Sequence, residues 1–150
     1  NSKIEFSSDF IIAYPGETEK DFYCTMDLVK RIRFINSYSF IFSPRPGTAA
    51  SSLKLIDQKI AKKRLKLIQE ELFAHQKFKN KMTENKIVNV LVENKISDQS
   101  KFFGRTEYMT PVIFESEKSV EGEIVPVLIK KSNQNNLFGE IKLSKNIEAA

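Results

Sequence analysis

The chain has 150 residues, 41% of them hydrophobic, which is enough for one or two small cored domains and too much for a disordered chain. Its single cysteine, Cys24, excludes an internal disulfide and any zinc or iron–sulfur site built from several of its own thiolates. No run approaches the ~18 consecutive apolar residues of a membrane span, and the opening Asn-Ser-Lys-Ile-Glu-Phe has neither a signal-peptide core nor an initiator Met, as expected of a segment of a longer, cytoplasmic protein.

In chain order, Phe10 to Tyr14 is short, apolar and uninterrupted, the pattern of a strand buried on both faces of a parallel sheet. Pro15 and Gly16 end it. Thr18 is a suitable N-cap, with Asp21 three residues later in a variant of the capping box. Phe22, Met26, Val29 and Ile32 then recur at helical spacing and predict an amphipathic helix. A second buried strand is predicted over 37–44, so the unit reads βαβ with parallel strands. Residues 43–52, with two prolines and a glycine, form a loop. A long helix follows from 56 to about 80, with Ala61, Leu65, Ile68 and Leu72 as its apolar stripe, which must pack on the sheet or on a neighbouring domain.

The net charge of +5 is unevenly placed. Between Lys54 and Lys86 ten basic residues face four acidic ones, which accounts for the whole of it. Such a block suits a polyanionic partner such as RNA; a solvated helix face, with Lys chosen for propensity and solubility, explains it equally without a ligand.

After Lys81 the texture changes. "KIVNVLVE", with Ile87 or Val88, Val90 and Val92 inward, is followed by "KFFGRTEY", "TPVIFE", "GEIVPVLIKK" and "NLFGEIKLS". Five short strands separated by polar turns predict a small OB-like β-barrel. The fold class expected is thus α/β plus β, with domains at 1–81 and 82–150. Of Phe102 and Phe103, one and not both is expected in the core.

The Pro15-Gly16-Glu17-Thr18 corner and the Ser43-Pro44-Arg45-Pro46-Gly47-Thr48 loop both follow the C-terminal ends of parallel strands, where ligands of α/β proteins bind. Gly16 and Gly47 permit close backbone approach and Arg45 can hold an anion; each stretch alone also reads as a well-made turn. His75, the only histidine, and Cys24 have no assignable catalytic partners, so no catalytic set and no metal site is expected. In the barrel, Lys101 and Arg105 interleave with Phe102, Phe103 and Tyr108, a mixture suited to single-stranded nucleic acid, and Lys130, Lys131 and Lys142 add charge.

The ordered set "SSDFIIAYPGETEKDF", "FSPRPGTAA", a basic helix, "FFGRTE" and "NLFGEI" resembles the C-terminal part of the radical-SAM methylthiotransferases over essentially the whole chain. The resemblance implies the last two strands of a radical-SAM (β/α) barrel followed by a TRAM domain, an OB-like tRNA-binding module. It implies insertion of sulfur and a methyl group at C2 of a prenylated adenosine next to the anticodon, using S-adenosylmethionine and two 4Fe-4S clusters. By resemblance, Ile11, Ile12, Tyr14, Pro15, Gly16 and Glu17 line the S-adenosylmethionine side, and Arg45 closes the same rim. Lys86, Lys101 and Arg105 would touch tRNA phosphate at the anticodon stem-loop.

The departures are specific. The family's cysteine triplet is absent, so this chain is expected to bind tRNA without turning over. Ala13-Tyr14 stands where the family carries Gly-Phe, and "KMTENKIVNV" lacks the glycine that opens the family's TRAM domain. The rival expectations are a subunit that docks on a separately encoded, cluster-bearing half, a non-catalytic RNA-binding remnant, and a fragment of the relative that modifies a ribosomal protein. No membrane or DNA partner is expected.

Overall fold

The computed structural model describes residues 4–96, 100–118 and 120–142. It divides into two compact units, Asn1–Gln76 and Lys77–Ala150.

The first unit contains strand β1 (Asp9–Ile12), helix α1 (Glu19–Ile32), strand β2 (Tyr38–Ile41), a 3-10 turn (Ala49–Ser52) and most of helix α2 (Gln58–Thr83). The two strands are parallel, with Asp9 opposite Tyr38 and Ile12 opposite Ile41, as a βαβ crossover requires. At the start of α1 the Thr18 side chain accepts from the Asp21 N–H, and the Asp21 carboxylate accepts from the Thr18 N–H, so the capping box closes. Phe10 and Ile12 of β1 pack with Phe22, Met26 and Val29 of α1 and Ala61, Ile68 and Leu72 of α2. The apolar stripe of the long helix therefore packs inside the first unit; Leu65 is half-buried and Ile32 of α1 is 39% exposed.

Neither strand is buried on both faces. Ile11 is 61% exposed, Tyr38 66% and Phe40 54%. The sheet has two strands and the helices cover one side, so the apolar residues of alternate phase face outward. Periodicity cannot reveal this, because a run that is apolar at every position fits two covered faces as well as one.

The second unit holds strands β3 (Ile87–Ile96), β4 (Lys101–Thr106), β5 (Pro111–Glu115), β6 (Ile124–Ser132) and β7 (Leu137–Ile141). They close in the order β3-β4-β5-β7-β6, with β6 returning to β3 and β5 parallel to β7, the arrangement of an OB-like barrel. The core is Val90, Val92, Phe102, Val112, Phe114, Val125, Val127, Ile129 and Leu137, with Val120 from the β5–β6 connection. Val88 packs against it while Ile87 faces out, which settles the phase of β3. Phe102 is buried and stacks on Phe114, and Phe103 is half-exposed.

Closure uses the same device twice. The β3–β4 register shifts between Val92 and Asn94, and Gly104 lies opposite Val92. The β6–β7 register shifts between Ile129 and Lys131, and Gly139 lies opposite Ile129. A Cβ on Gly104 would come within 2.3 Å of the Leu91 carbonyl oxygen, and one on Gly139 within 2.4 Å of that of Leu128. Bulge and glycine together bend each strand pair enough to close so small a barrel.

The opening turn of the barrel forms without glycine. Asn85 takes a left-handed conformation, φ 63°, and its N–H donates to the Ile129 carbonyl. Asn tolerates this region better than other non-glycine residues because its short side chain can hydrogen-bond locally.

Candidate nucleic-acid interface and the strand-end corner

In β4 the odd-numbered residues point outward, so Lys101, Phe103 and Arg105 share one face while Phe102, Gly104 and Thr106 point in. The Arg105 guanidinium carbon lies 5.5 Å from the centroid of the Phe103 ring. Its Nε donates to Glu93 Oε1 at 2.8 Å; Glu93 is the bulged residue of β3. The sequence reading of Arg105 as a bare cation misses this pair, because the bulge that brings Glu93 alongside is not legible locally. Lys86 stands apart from the row. It precedes β3, its carbonyl accepts from the Ile129 N–H, and the first β3–β4 pair is Val90 with Thr106. Tyr108 is half-buried with the Lys79 ammonium 5.7 Å from its ring centroid.

Polar groups from the end of α2 anchor the barrel's loops. Asn80, 1% exposed, donates from Nδ2 to the carbonyls of Asn133 and Gln134 in the β6–β7 turn. Glu84 accepts from Lys81 and from both the backbone and hydroxyl of Ser132; these bonds, the lysine's first, hold its carboxyl below the usual glutamate range. Hydrogen bonds from Thr18 likewise lower the Asp21 carboxyl at the α1 cap.

At the strand-end corner of the first unit, Ala13 is left-handed with φ 60°, and Gly16 has φ 91°. Glu17 reaches back so that its Oε2 accepts from the Ala13 N–H. Arg64 of α2 donates from Nη1 to that same oxygen and to the Glu17 carbonyl, each at 3.1 Å, and lies over the Phe22 ring at 5.4 Å. Both side chains are nearly buried, 10% and 12% exposed. Arg64 is a residue the sequence reading passed over within the lysine-rich block. Its signal was position: it falls three residues after Ala61 and four before Ile68, on the apolar stripe of α2.

Of the other residues implied at this corner, Ile11, Tyr14, Gly16 and Arg45 are exposed, whereas Ile12 and Pro15 are buried. Ile11 and Ile12 face opposite sides of β1, so only Ile11 joins the open face. The two loops meet where the Tyr14 and Phe42 rings pack edge to face at 4.9 Å. Cys24 is exposed on α1, and His75 Nε2 lies 3.0 Å from Glu71 Oε1 within α2, where the carboxylate accepts. Among the described residues no three His, Cys, Asp or Glu side chains gather as metal ligands, and no helix is long and apolar enough to cross a membrane.

A closed five-stranded barrel with a basic and aromatic outer strand defines the class of this second unit, and residues 81–142 match the family model described as TRAM domain. Similarity extends over the whole chain. It is 60% identical over 150 residues, all of this chain, to tRNA-2-methylthio-N(6)-dimethylallyladenosine synthase of Pelagibacter ubique. Identity is 45% over 139 residues, 92% of the chain, to the synthase of that name from Vesicomyosocius okutanii, and 43% over 142 residues, 93% of the chain, to that of Rickettsia typhi. Over its whole length the chain is similar to the C-terminal region of these synthases, and its second unit carries a TRAM domain. It spans 34%, 31% and 32% of the length of these three relatives, about a third.

Proposed function

We propose that the chain is the tRNA-gripping portion of a tRNA methylthiotransferase, acting in the cytoplasm on N6-prenylated adenosine beside the anticodon. The observation that carries the reading is the outward row Lys101, Phe103 and Arg105 on a TRAM barrel, within a chain similar throughout to synthases named for a modified tRNA nucleoside. On this reading Lys101 of the row and Lys86 meet phosphates of the anticodon stem-loop, and Arg105 meets the RNA beside them.

The cofactors divide between fit and misfit. Iron–sulfur clusters need several thiolates and the chain has one cysteine, so it cannot hold a 4Fe-4S cluster by itself and is inactive alone. S-adenosylmethionine fits the corner as one wall only. Ile11 and Tyr14 offer exposed apolar surface, Gly16 and Gly47 leave open space where a Cβ would stand, and Arg45 is exposed, where it can meet a carboxylate. Glu17 shapes that wall rather than touching ligand, since Ala13 and Arg64 already engage its carboxylate.

Gel shift of tRNA across a salt series tests the reading. Binding is expected at low salt, falling steeply as salt rises, and the Lys101→Ala, Arg105→Ala double variant should weaken it on every tRNA and lower the salt slope by about one per phosphate contact removed. No shift at low salt overturns it.

One observation favours a second role beside the first. The open face of the sheet, with Ile11, Tyr38 and Phe40 mostly exposed, suits docking against a cluster-bearing portion of the enzyme, whether on the same or a separate polypeptide.

A further inference from the structure

We propose that the outer face of β4, β5 and β7 is a stacking platform for unpaired RNA bases, and that Arg105 serves it as a planar group rather than as a phosphate clamp. This rests on the RNA-binding reading and narrows it to single-stranded RNA.

Register carries the proposal. Phe103 of β4 lies opposite Ile113 of β5, and Ile113 lies opposite Phe138 of β7. Paired residues of adjacent strands project to the same side, so the three form a row on the outside of the barrel, each half-exposed. The barrel does not need them for its core, which Phe102, Val112, Phe114 and Leu137 fill from the alternate positions. Cations flank both aromatic residues: Lys101 and Arg105 lie two residues either side of Phe103, and Lys131 lies opposite Phe138, while Glu115 and Glu140 stand in register with Lys101 at one border of the row. An apolar row with a cation beside each aromatic ring fits nucleobases carried on phosphates better than it fits an apolar protein surface.

Arg105 has a particular place in it. Its guanidinium lies over Phe103 and is tied by Nε to Glu93. A phosphate must displace Glu93 to take that donor. A base need not, because it can stack on the guanidinium plane while the ion pair stays intact. In an RNA duplex the bases are stacked within the helix and offer no free face, so the platform distinguishes unpaired from paired RNA.

Fluorescence anisotropy with the full chain, a labelled single-stranded RNA of about 12 nucleotides and the duplex made from it, at matched salt, tests this. The single strand should bind about tenfold more tightly than the duplex. Phe103→Leu and, separately, Phe138→Leu should each weaken the single strand by about five- to tenfold and leave the duplex unchanged. Arg105→Lys keeps the charge and loses the plane; it should weaken the single strand to a similar degree with the salt slope unaltered. Far-ultraviolet circular dichroism melts establish that each variant is folded. If Arg105→Lys binds like the parent, or single strand and duplex bind equally, the contacts are to phosphate alone and the platform is overturned while RNA binding stands. If the parent binds neither RNA at low salt, the RNA-binding reading falls as well.

Discussion

Arg64 and Glu17 show how much one pair decides in a small unit. The Ala13 N–H, inside a left-handed turn, has the Glu17 carboxylate as its acceptor, and that carboxylate has Arg64 as its cation. Removing the guanidinium leaves a nearly buried carboxylate unneutralised, a defect that costs about 3 kcal/mol or more. Arg64→Ala should therefore destabilise the first unit by about 3 kcal/mol while changing RNA affinity little, measured by chemical denaturation followed through far-ultraviolet circular dichroism and by anisotropy. Unchanged stability would mean that solvent reaches and satisfies Glu17. The neighbouring Ala13 shows the converse constraint: it has φ 60°, so an L-residue there is held against its preference by the surrounding bonds.

At the scale of the element, the barrel strands were the most legible feature. Alternation over Lys101–Thr106 and Pro111–Glu115 reads directly as one face in and one out, and Val90 and Val92 fell inward as their spacing implies. The closing corners were not legible. "FFG" and "LFG" look alike in sequence, but that each glycine sits beside a bulge on its partner strand follows only from pairing. Gly104→Ala places a methyl 2.7 Å from Val90 Cγ1 and against the Leu91 carbonyl. Overpacking of this kind costs about 3 kcal/mol when the obstacle is backbone. Gly104→Ala should lower the barrel's unfolding free energy by that amount in denaturant titration, with Gly139→Ala close behind; a loss under about 1 kcal/mol would show that the strand pair relaxes freely. The two β strands of the first unit were read correctly in place and direction but not in burial, since propensity registers apolar character and not whether a second layer exists to cover it.

At the scale of the molecule, two units carry two separate demands. The barrel closes on itself and removes its own edges. Among the described residues the sheet of the first unit has two strands and does not close, and it keeps one apolar face exposed. If that face meets a cluster-bearing portion of the enzyme, co-expression with such a portion from a relative should give a complex in size-exclusion chromatography, and Phe40→Glu should abolish it by placing a charge in the contact without disturbing the covered face. Separate elution of two folded chains would remove the docking role and leave the RNA role intact.

Local periodicity, turn chemistry and the order of short motifs were enough for the order of the elements, the parallel crossover, the capping box of α1 and the OB-like barrel, because each is a short-range property of the chain. Only the folded chain settles which apolar residues are covered, which cation is sealed inside and which stays at the surface. Arg64 and Arg105 are both basic residues in basic surroundings, and only the place of Arg64 on the apolar stripe of α2 sets either apart locally. One is sealed against Glu17 across 47 residues of chain and the other is tied to Glu93 through a strand bulge, over an aromatic ring. Partners distant in sequence set the solvation and orientation of a charge, and those in turn set what it can do.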